Sequence, residues 1–173
     1  MSSFDRAVRA SLILLAVIGL GACSVEPLYG SGPAGTVVKA SLAGIDVAPV
    51  DTKIAQDLRN RLLFDLSGTA SPAAAPRYSL KLDVASTELA LGVTPVQTSP
   101  AYSVTVTAIY ELVSLATGKI VLRATSRQSA SYDRVNQGFA NTRAKLDAET
   151  RAAQLAADDI HLALSAAAAG GRI

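Results

Sequence analysis

The segment YSVTVTAIYEL, residues 102–112, is the strongest indicator of the fold, because apolar and polar residues alternate along most of its length. Successive side chains of a β-strand point to opposite faces, so a period of two predicts a strand with one packed and one polar face. Residues 78–84 before it and residues 120–125 after it have the same period, and the last run continues in polar form to about Tyr132. The three runs predict three neighbouring strands of a largely antiparallel sheet.

Turn signals separate these strands. Ala116-Thr117-Gly118 joins the second and third runs and predicts a tight hairpin, because Gly118 can adopt a positive φ. Residues 89–100 form a longer link that contains Gly92, Pro95 and Pro100. The sequence therefore predicts a meander of three strands with one short and one long connection.

The segments outside the meander predict a strand and two helices. Residues 36–50 contain several β-branched and aliphatic residues and predict a strand interrupted by Gly44. Residues 54–66 have apolar residues at helical spacing, with Asp51 or Thr52 as the predicted N-cap. Residues 139–168 predict a long helix with Leu146, Ala153, Ile160 and Ala167 on one stripe.

The predicted fold class follows from the order strand, helix, three strands, helix. This order predicts an α+β domain, a four-stranded, largely antiparallel sheet with two helices packed on one face. We expect this single domain to span residues 36–168, with residues 169–173 as a frayed tail.

The first 22 residues predict an export signal. Arg6 and Arg9 give a positive start, and residues 10–20 form an apolar stretch. A helix needs about 20 apolar residues to span a membrane, so eleven are too few. The pattern is typical of a cleaved signal peptide over residues 1–22.

Cys23, the only cysteine, follows Leu20-Gly21-Ala22 in a pattern that resembles the bacterial lipobox. We expect lipidation of its thiol and a flexible tether over residues 23–35, whose second part is rich in Gly, Ser and Pro. Ser24, rather than Asp, follows the cysteine, which favours the outer membrane in the sorting rule of enteric bacteria. The alternative is an ordinary signal peptide followed by a free or buried thiol.

Composition argues against several classes of function. The formal net charge of +2 becomes +1 once Asp5, Arg6 and Arg9 leave with the signal, and no basic run is present to follow a nucleic-acid backbone. A lone cysteine excludes an intrachain disulfide. His161 is the only histidine and predicts an exposed polar position, so we expect neither an enzyme nor a metal or cofactor site.

Several features together resemble the LPS-assembly lipoprotein family LptE, particularly its alphaproteobacterial branch. They are the lipobox cysteine, the segment Glu26-Pro27-Leu28-Tyr29-Gly30 behind it, the element order and the Ala-rich closing helix. The resemblance implies a non-catalytic outer-membrane lipoprotein, held by its lipid at the periplasmic face. It also implies that the protein plugs and helps assemble the LPS-translocon barrel LptD and contacts lipopolysaccharide. The alternative is an accessory lipoprotein of an ABC-type or other envelope lipid-transport system.

The resemblance also implies basic residues near one end of the sheet that engage the phosphates of lipid A. Residues 89–100 would be a natural place for them, yet this link contains no Lys or Arg. Tyr29, near the anchor, is a further candidate contact with the membrane or partner. The alternative for each basic residue is a solvated charge or an ion-pair partner of Asp133, Asp147 or Glu149. The basic candidates are Arg123 and Arg127 on the last strand, and Arg134, Arg143 and Lys145 around the start of the last helix.

Overall fold

The strand predicted from residues 102–112 lies inside a four-stranded sheet. The structure is a computed structural model, which describes residues 33–68, 71–91 and 101–173. Within these residues the sheet has the strand order β1-β2-β3-β4, with β1 parallel to β2 and the other neighbours antiparallel. The elements are α1 (Pro33–Leu42), β1 (Ile45–Val47), α2 (Lys53–Ser67), β2 (Tyr78–Leu91), β3 (Ala101–Ser114), β4 (Ile120–Asp133) and α3 (Gly138–Ala169).

The predicted α+β class and the antiparallel meander are confirmed. The helix predicted over residues 54–66 is α2, where Thr52 is the N-cap and its side chain accepts from the Ala55 amide at 3.3 Å. Gly118 adopts the positive φ of 69° expected in the hairpin. The predicted link over residues 89–100 begins too early, because Leu89–Leu91 continue the ladder of β2 and pair with Ala101–Ser103.

The strand predicted over residues 36–50 is wrong for most of its length. Its first part is α1, and only Ile45–Val47 form a strand. Val38 and Leu42 are four residues apart, so both point from one face of α1 into the core, where each is 4% exposed. Proline is tolerated in the first turn of a helix, so Pro33 can begin α1, and the predicted tether loses residues 33–35 to it.

Alternation of side chains gives the sheet an inner and an outer face. The inner face is covered by α2 and α3, while α1 packs against these two helices. Large apolar residues of α2 and β1–β3 fill the core together with the small buried side chains of α3. The buried residues of α3 are Ala148, Ala152, Ala153, Ala156, Ala157, Ile160, Leu164, Ser165, Ala167 and Ala168.

Small side chains set the distance between α3 and the sheet. A stripe of alanines allows a helix backbone to approach its neighbours closely, and interiors are packed too tightly to leave spare volume there. Leu146, predicted on this stripe, is instead 38% exposed. Ser126 of β4 is buried and donates to Asp159 Oδ2 of α3 at 2.6 Å, which ties the helix to the sheet at one register.

The end of α3 differs from the predicted frayed tail. Gly171 has a φ of 67° and its amide donates to Ala168 O, while the Arg172 amide donates to Ala167 O. This pair of bonds is a Schellman motif, which satisfies carbonyls at the helix end. Ile173 packs against the core, and Ser41 of α1 donates to its backbone oxygen at 3.4 Å.

Among the described residues, no helix combines the length and the apolar character that crossing a membrane requires.

We expect A156L to destabilise the protein by about 1–3 kcal/mol, because Ala156 is fully buried and a larger side chain would force α3 away from its neighbours. Urea unfolding followed by circular dichroism measures the free energy of unfolding. The matched control is A166L, at an exposed position of the same helix. Equal stabilities of the two variants would contradict close packing along this stripe.

Candidate functional site

A polar cleft lies at the end of the sheet opposite the hairpin that joins β3 to β4. We call this the distal end, formed by residues 88–91, 101–104 and 130–133. Here Tyr102 of β3 and Tyr132 of β4 are paired in the ladder, and their rings stack with centroids 5.7 Å apart. Both tyrosines belong to the inner face, and Tyr132 lines the cleft together with residues from the first turns of α3.

Glu88 is a carboxylate on the inner row of β2, where it pairs with Val104 of β3. Lys145 of α3 donates from Nζ to Glu88 Oε2 at 2.8 Å. The Tyr132 hydroxyl donates to the other carboxylate oxygen. The glutamate therefore links β2 to both β4 and α3.

Arg134 follows the last residue of β4 and lies over the neighbouring ring. Its guanidinium carbon is 4.9 Å from the centroid of Tyr102, a cation–π distance. Its Nη1 also donates to the Tyr102 hydroxyl at 3.1 Å. The stacked tyrosines thus hold a second cation at the distal end.

The turn between β4 and α3 is held by Asn141. Its Oδ1 accepts from the Val135 amide and its Nδ2 donates to Val135 O, both at 2.8 Å. Because the backbone N–H and C=O of Val135 are both bonded to Asn141, the position of Arg134 relative to the first turn of α3 is fixed. The turn therefore positions Arg134 and Lys145 over the same part of the sheet.

The electrostatics of this group favour the charged states. Hydrogen bonds from Lys145, and then from Tyr132, lower the pKa of Glu88. The same contact with Glu88 raises the pKa of Lys145. Burial, reinforced by the hydrogen bond to Glu88, raises the pKa of Tyr132 to about 12. At neutral pH the group therefore holds two cations, one carboxylate and a neutral phenol.

The cleft has a volume of about 180 Å³ and opens to solvent. Two cations and several hydroxyl or amide donors suit an anionic group on a larger molecule. Within the described ranges, no cluster of three His, Cys, Asp or Glu residues could hold a metal ion. Its lining residues are Glu88, Tyr132, Arg134, Gly138, Asn141, Thr142 and Lys145.

A protein-family model matches most of the chain. Residues 42–164 match the family model described as LptE, lipopolysaccharide-assembly. The chain belongs to the LptE family. The match begins at the end of α1 and reaches into the last turns of α3, so it includes the sheet and the whole distal cleft.

Solved structures with a similar fold include lipoproteins of three bacteria. A candidate lipoprotein of Caulobacter crescentus CB15 has a TM-score of 0.65 and 23% identity, over 78% of this chain and 96% of that one. A minor lipoprotein of Acinetobacter baumannii has a TM-score of 0.56 and 16% identity, over 72% and 94%. Rare lipoprotein B of Shewanella oneidensis has a TM-score of 0.53 and 14% identity, over 71% and 92%. Comparison with curated protein sequences gives no significant match.

The structure separates the basic residues predicted to contact LPS in this LptE-family protein. It brings Arg134 and Lys145 together in the cleft. Arg123 lies on the outer face, where its Nε pairs with Glu111 at 3.2 Å, and Arg127 lies four residues further along β4 on the same face. Arg143 is exposed on α3 and does not line the cleft.

Two predicted residues fall outside the described part of the chain. They are Cys23, the predicted lipidation site, and Tyr29, the predicted contact near the anchor. The predicted signal peptide over residues 1–22 lies outside it as well.

Glu88 is not among the functional residues predicted from the sequence. Its signal was present, because Glu88 has the same parity as Leu80, Leu82 and Val84 and so belongs to the apolar row of the strand. A charged residue on such a row needs a partner. Ending the predicted alternation at Val84 concealed this position.

The shifted pKa of Glu88 predicts a pH dependence of stability. A carboxyl whose pKa is lowered by folding stabilises the protein above its ordinary pKa of about 4.3, and this contribution is lost as pH falls through the lowered value. We therefore expect the stability advantage of the wild type over E88Q to be largest at pH 6–7 and to shrink towards pH 3. Urea unfolding at a series of pH values measures it.

The control for this experiment is the same comparison in a K145M background. There the advantage at pH 6–7 should be smaller, because Lys145 is the main partner of Glu88. A pH-independent difference between wild type and E88Q would contradict this assignment.

Proposed function

We propose that this LPS-assembly family member is an outer-membrane lipoprotein that plugs and helps assemble the LPS-translocon barrel LptD and aids transport of LPS to the cell surface. The observation that carries the proposal is the family match over residues 42–164, which includes a two-cation cleft at the distal end. The remaining support comes from the outer sheet face, the distal end and the N-terminal sequence.

The outer face of the sheet suits a polar enclosure. Hydroxyl side chains follow one another across the strands; Thr87 pairs with Thr105, which pairs with Ser129. Thr105 and Ser129 also share a 2.8 Å hydrogen bond. The interior of a large membrane barrel is polar, so contacts there would be hydrogen bonds between matching surfaces rather than burial of apolar area.

The distal end suits an anionic amphiphile. Arg134 and Lys145 offer positive charge, and a phosphate can bond with both cations and with a neighbouring hydroxyl. Val135 and Phe139, in the adjoining turn and first turn of α3, are 49% and 80% exposed. A molecule that combines phosphate groups with acyl chains would find both kinds of contact here.

The N-terminal sequence supplies the membrane attachment. Lipidation at Cys23 would place the domain on the periplasmic side of the outer membrane. Pro33, where α1 begins, lies ten positions after Cys23, and an extended chain over ten positions spans at most about 35 Å. The tether therefore keeps the domain within reach of a barrel in the same membrane.

We expect affinity purification of the tagged full-length protein, after mild detergent extraction of the envelope, to recover a large outer-membrane barrel. C23S should remove the protein from the membrane fraction and reduce recovery of the barrel, because the lipid no longer concentrates the two in one membrane. Mass spectrometry of the eluate identifies the partner. Recovery of an inner-membrane permease with no barrel would contradict the proposal and favour the lipid-transport alternative.

We expect the double variant R134Q/K145M to bind detergent-dispersed LPS about tenfold more weakly than the wild type, since two charge-assisted contacts with phosphate are lost. The matched control is R123Q/R127Q, which removes two cations from the outer face. A solid-phase binding assay with intact and dephosphorylated LPS measures both pairs. If the outer-face variant loses binding and the cleft variant retains it, the contact lies on the other side of the sheet.

A further inference from the structure

Glu88 accepts hydrogen bonds from two donors of the cleft that an anionic ligand would need. Among the described residues that line the cleft, it is the one acidic side chain. Lys145 and Tyr132 both donate to it, so a ligand cannot bond with these two donors while the carboxylate stays in place. In this state the cleft carries one net positive charge, because two cations face one carboxylate.

We propose that Glu88 is a specificity-determining residue of the cleft. An incoming anion must displace its carboxylate from Lys145 and Tyr132, and as a result the cleft selects phosphomonoester dianions over monoanions. This inference rests on the proposed contact between the cleft and the phosphates of LPS, and it adds the rule by which anions are chosen.

The selection follows from charge and from the covalent attachment of the competitor. A carboxylate fixed to β2 has a high effective concentration beside Lys145. A free monoanion has the same charge as this carboxylate but lacks the covalent attachment, so it competes poorly for Lys145. A phosphomonoester carries a charge of about −1.5 to −2 at neutral pH and has three acceptor oxygens. It can therefore bond with Lys145, Arg134 and Tyr132 together.

The fold leaves room for Glu88 to move. β1 pairs only with Tyr78–Leu80, so within the described residues no strand borders β2 at Glu88 on that side. The Glu88 side chain is already 28% exposed, and that of Lys145 is 41% exposed. A change of rotamer can therefore carry the carboxylate to water without disturbing the β2–β3 ladder.

The test compares two small anions on the full-length mature protein in detergent. The probes are inorganic phosphate and dimethyl phosphate, titrated at pH 7.5 and constant ionic strength, with affinities from amide chemical shifts. We expect the wild type to bind phosphate more tightly than dimethyl phosphate. E88Q should bind dimethyl phosphate about fivefold more tightly than the wild type does. The ratio of the affinities for phosphate and dimethyl phosphate should therefore be smaller in E88Q.

Two further variants make the result specific. Y132F removes the hydroxyl that donates to Glu88. It should also reduce the preference for phosphate over dimethyl phosphate, by a smaller factor than E88Q does. E111Q makes the same substitution in an ion pair on the outer face, where Glu111 pairs with Arg123, and should leave the preference unchanged. Thermal unfolding of each variant verifies that it is folded.

The outcomes separate the two proposals. Equal preferences in the wild type and E88Q, with phosphate binding lost in K145M, would overturn the role of Glu88 while the cleft remains an anion site. Loss of phosphate binding in E88Q would overturn it as well, because the glutamate would then support the ligand rather than compete with it. Absence of binding of either anion to every variant would remove both the selection by Glu88 and the proposed phosphate contact.

Discussion

The close approach of α3 to the inner face of the sheet is the constraint on which the other features depend. Its buried side chains are mainly alanines, so the helix backbone lies near β3 and β4 and leaves no space for larger residues. The bond from Ser126 to Asp159 fixes the helix along its length. With α3 fixed, the positions of Lys145 at its start and of the Schellman motif at its end follow.

The distal cleft is a consequence of that placement. β4 ends at Asp133 and α3 begins at Gly138, so four residues must turn the chain back over the sheet. Asn141 holds this turn through Val135. The geometry leaves Lys145 above Glu88 and Arg134 above Tyr102, which concentrates charge at the distal end of the sheet. The anion binding that we propose would therefore depend on the turn between β4 and α3, which positions both cations.

The family assignment and the geometry support different parts of the functional argument. The LptE match gives LPS assembly as the setting, and the related solved structures, at 23% identity and below, give the fold. The positions of the charged side chains then distinguish the basic residues that could contact LPS. Arg134 and Lys145 share a cleft, whereas Arg123 is paired with Glu111 on the opposite face.

The sequence alone was enough to predict the meander, the α+β class, α2 with a cap at Asp51 or Thr52, and the long closing helix, because each depends on a local pattern within one segment. It did not determine α1, since Val37 and Val38 favour a strand locally while packing of Val38 and Leu42 against the core favours a helix. Nor did it determine the cleft. Glu88 and Lys145 are 57 residues apart in the chain, and only the packing of α3 across β2–β4 brings them to 2.8 Å. Local periodicity fixes which face a side chain takes, whereas the meeting of two distant side chains requires the register between elements, which tertiary packing alone sets.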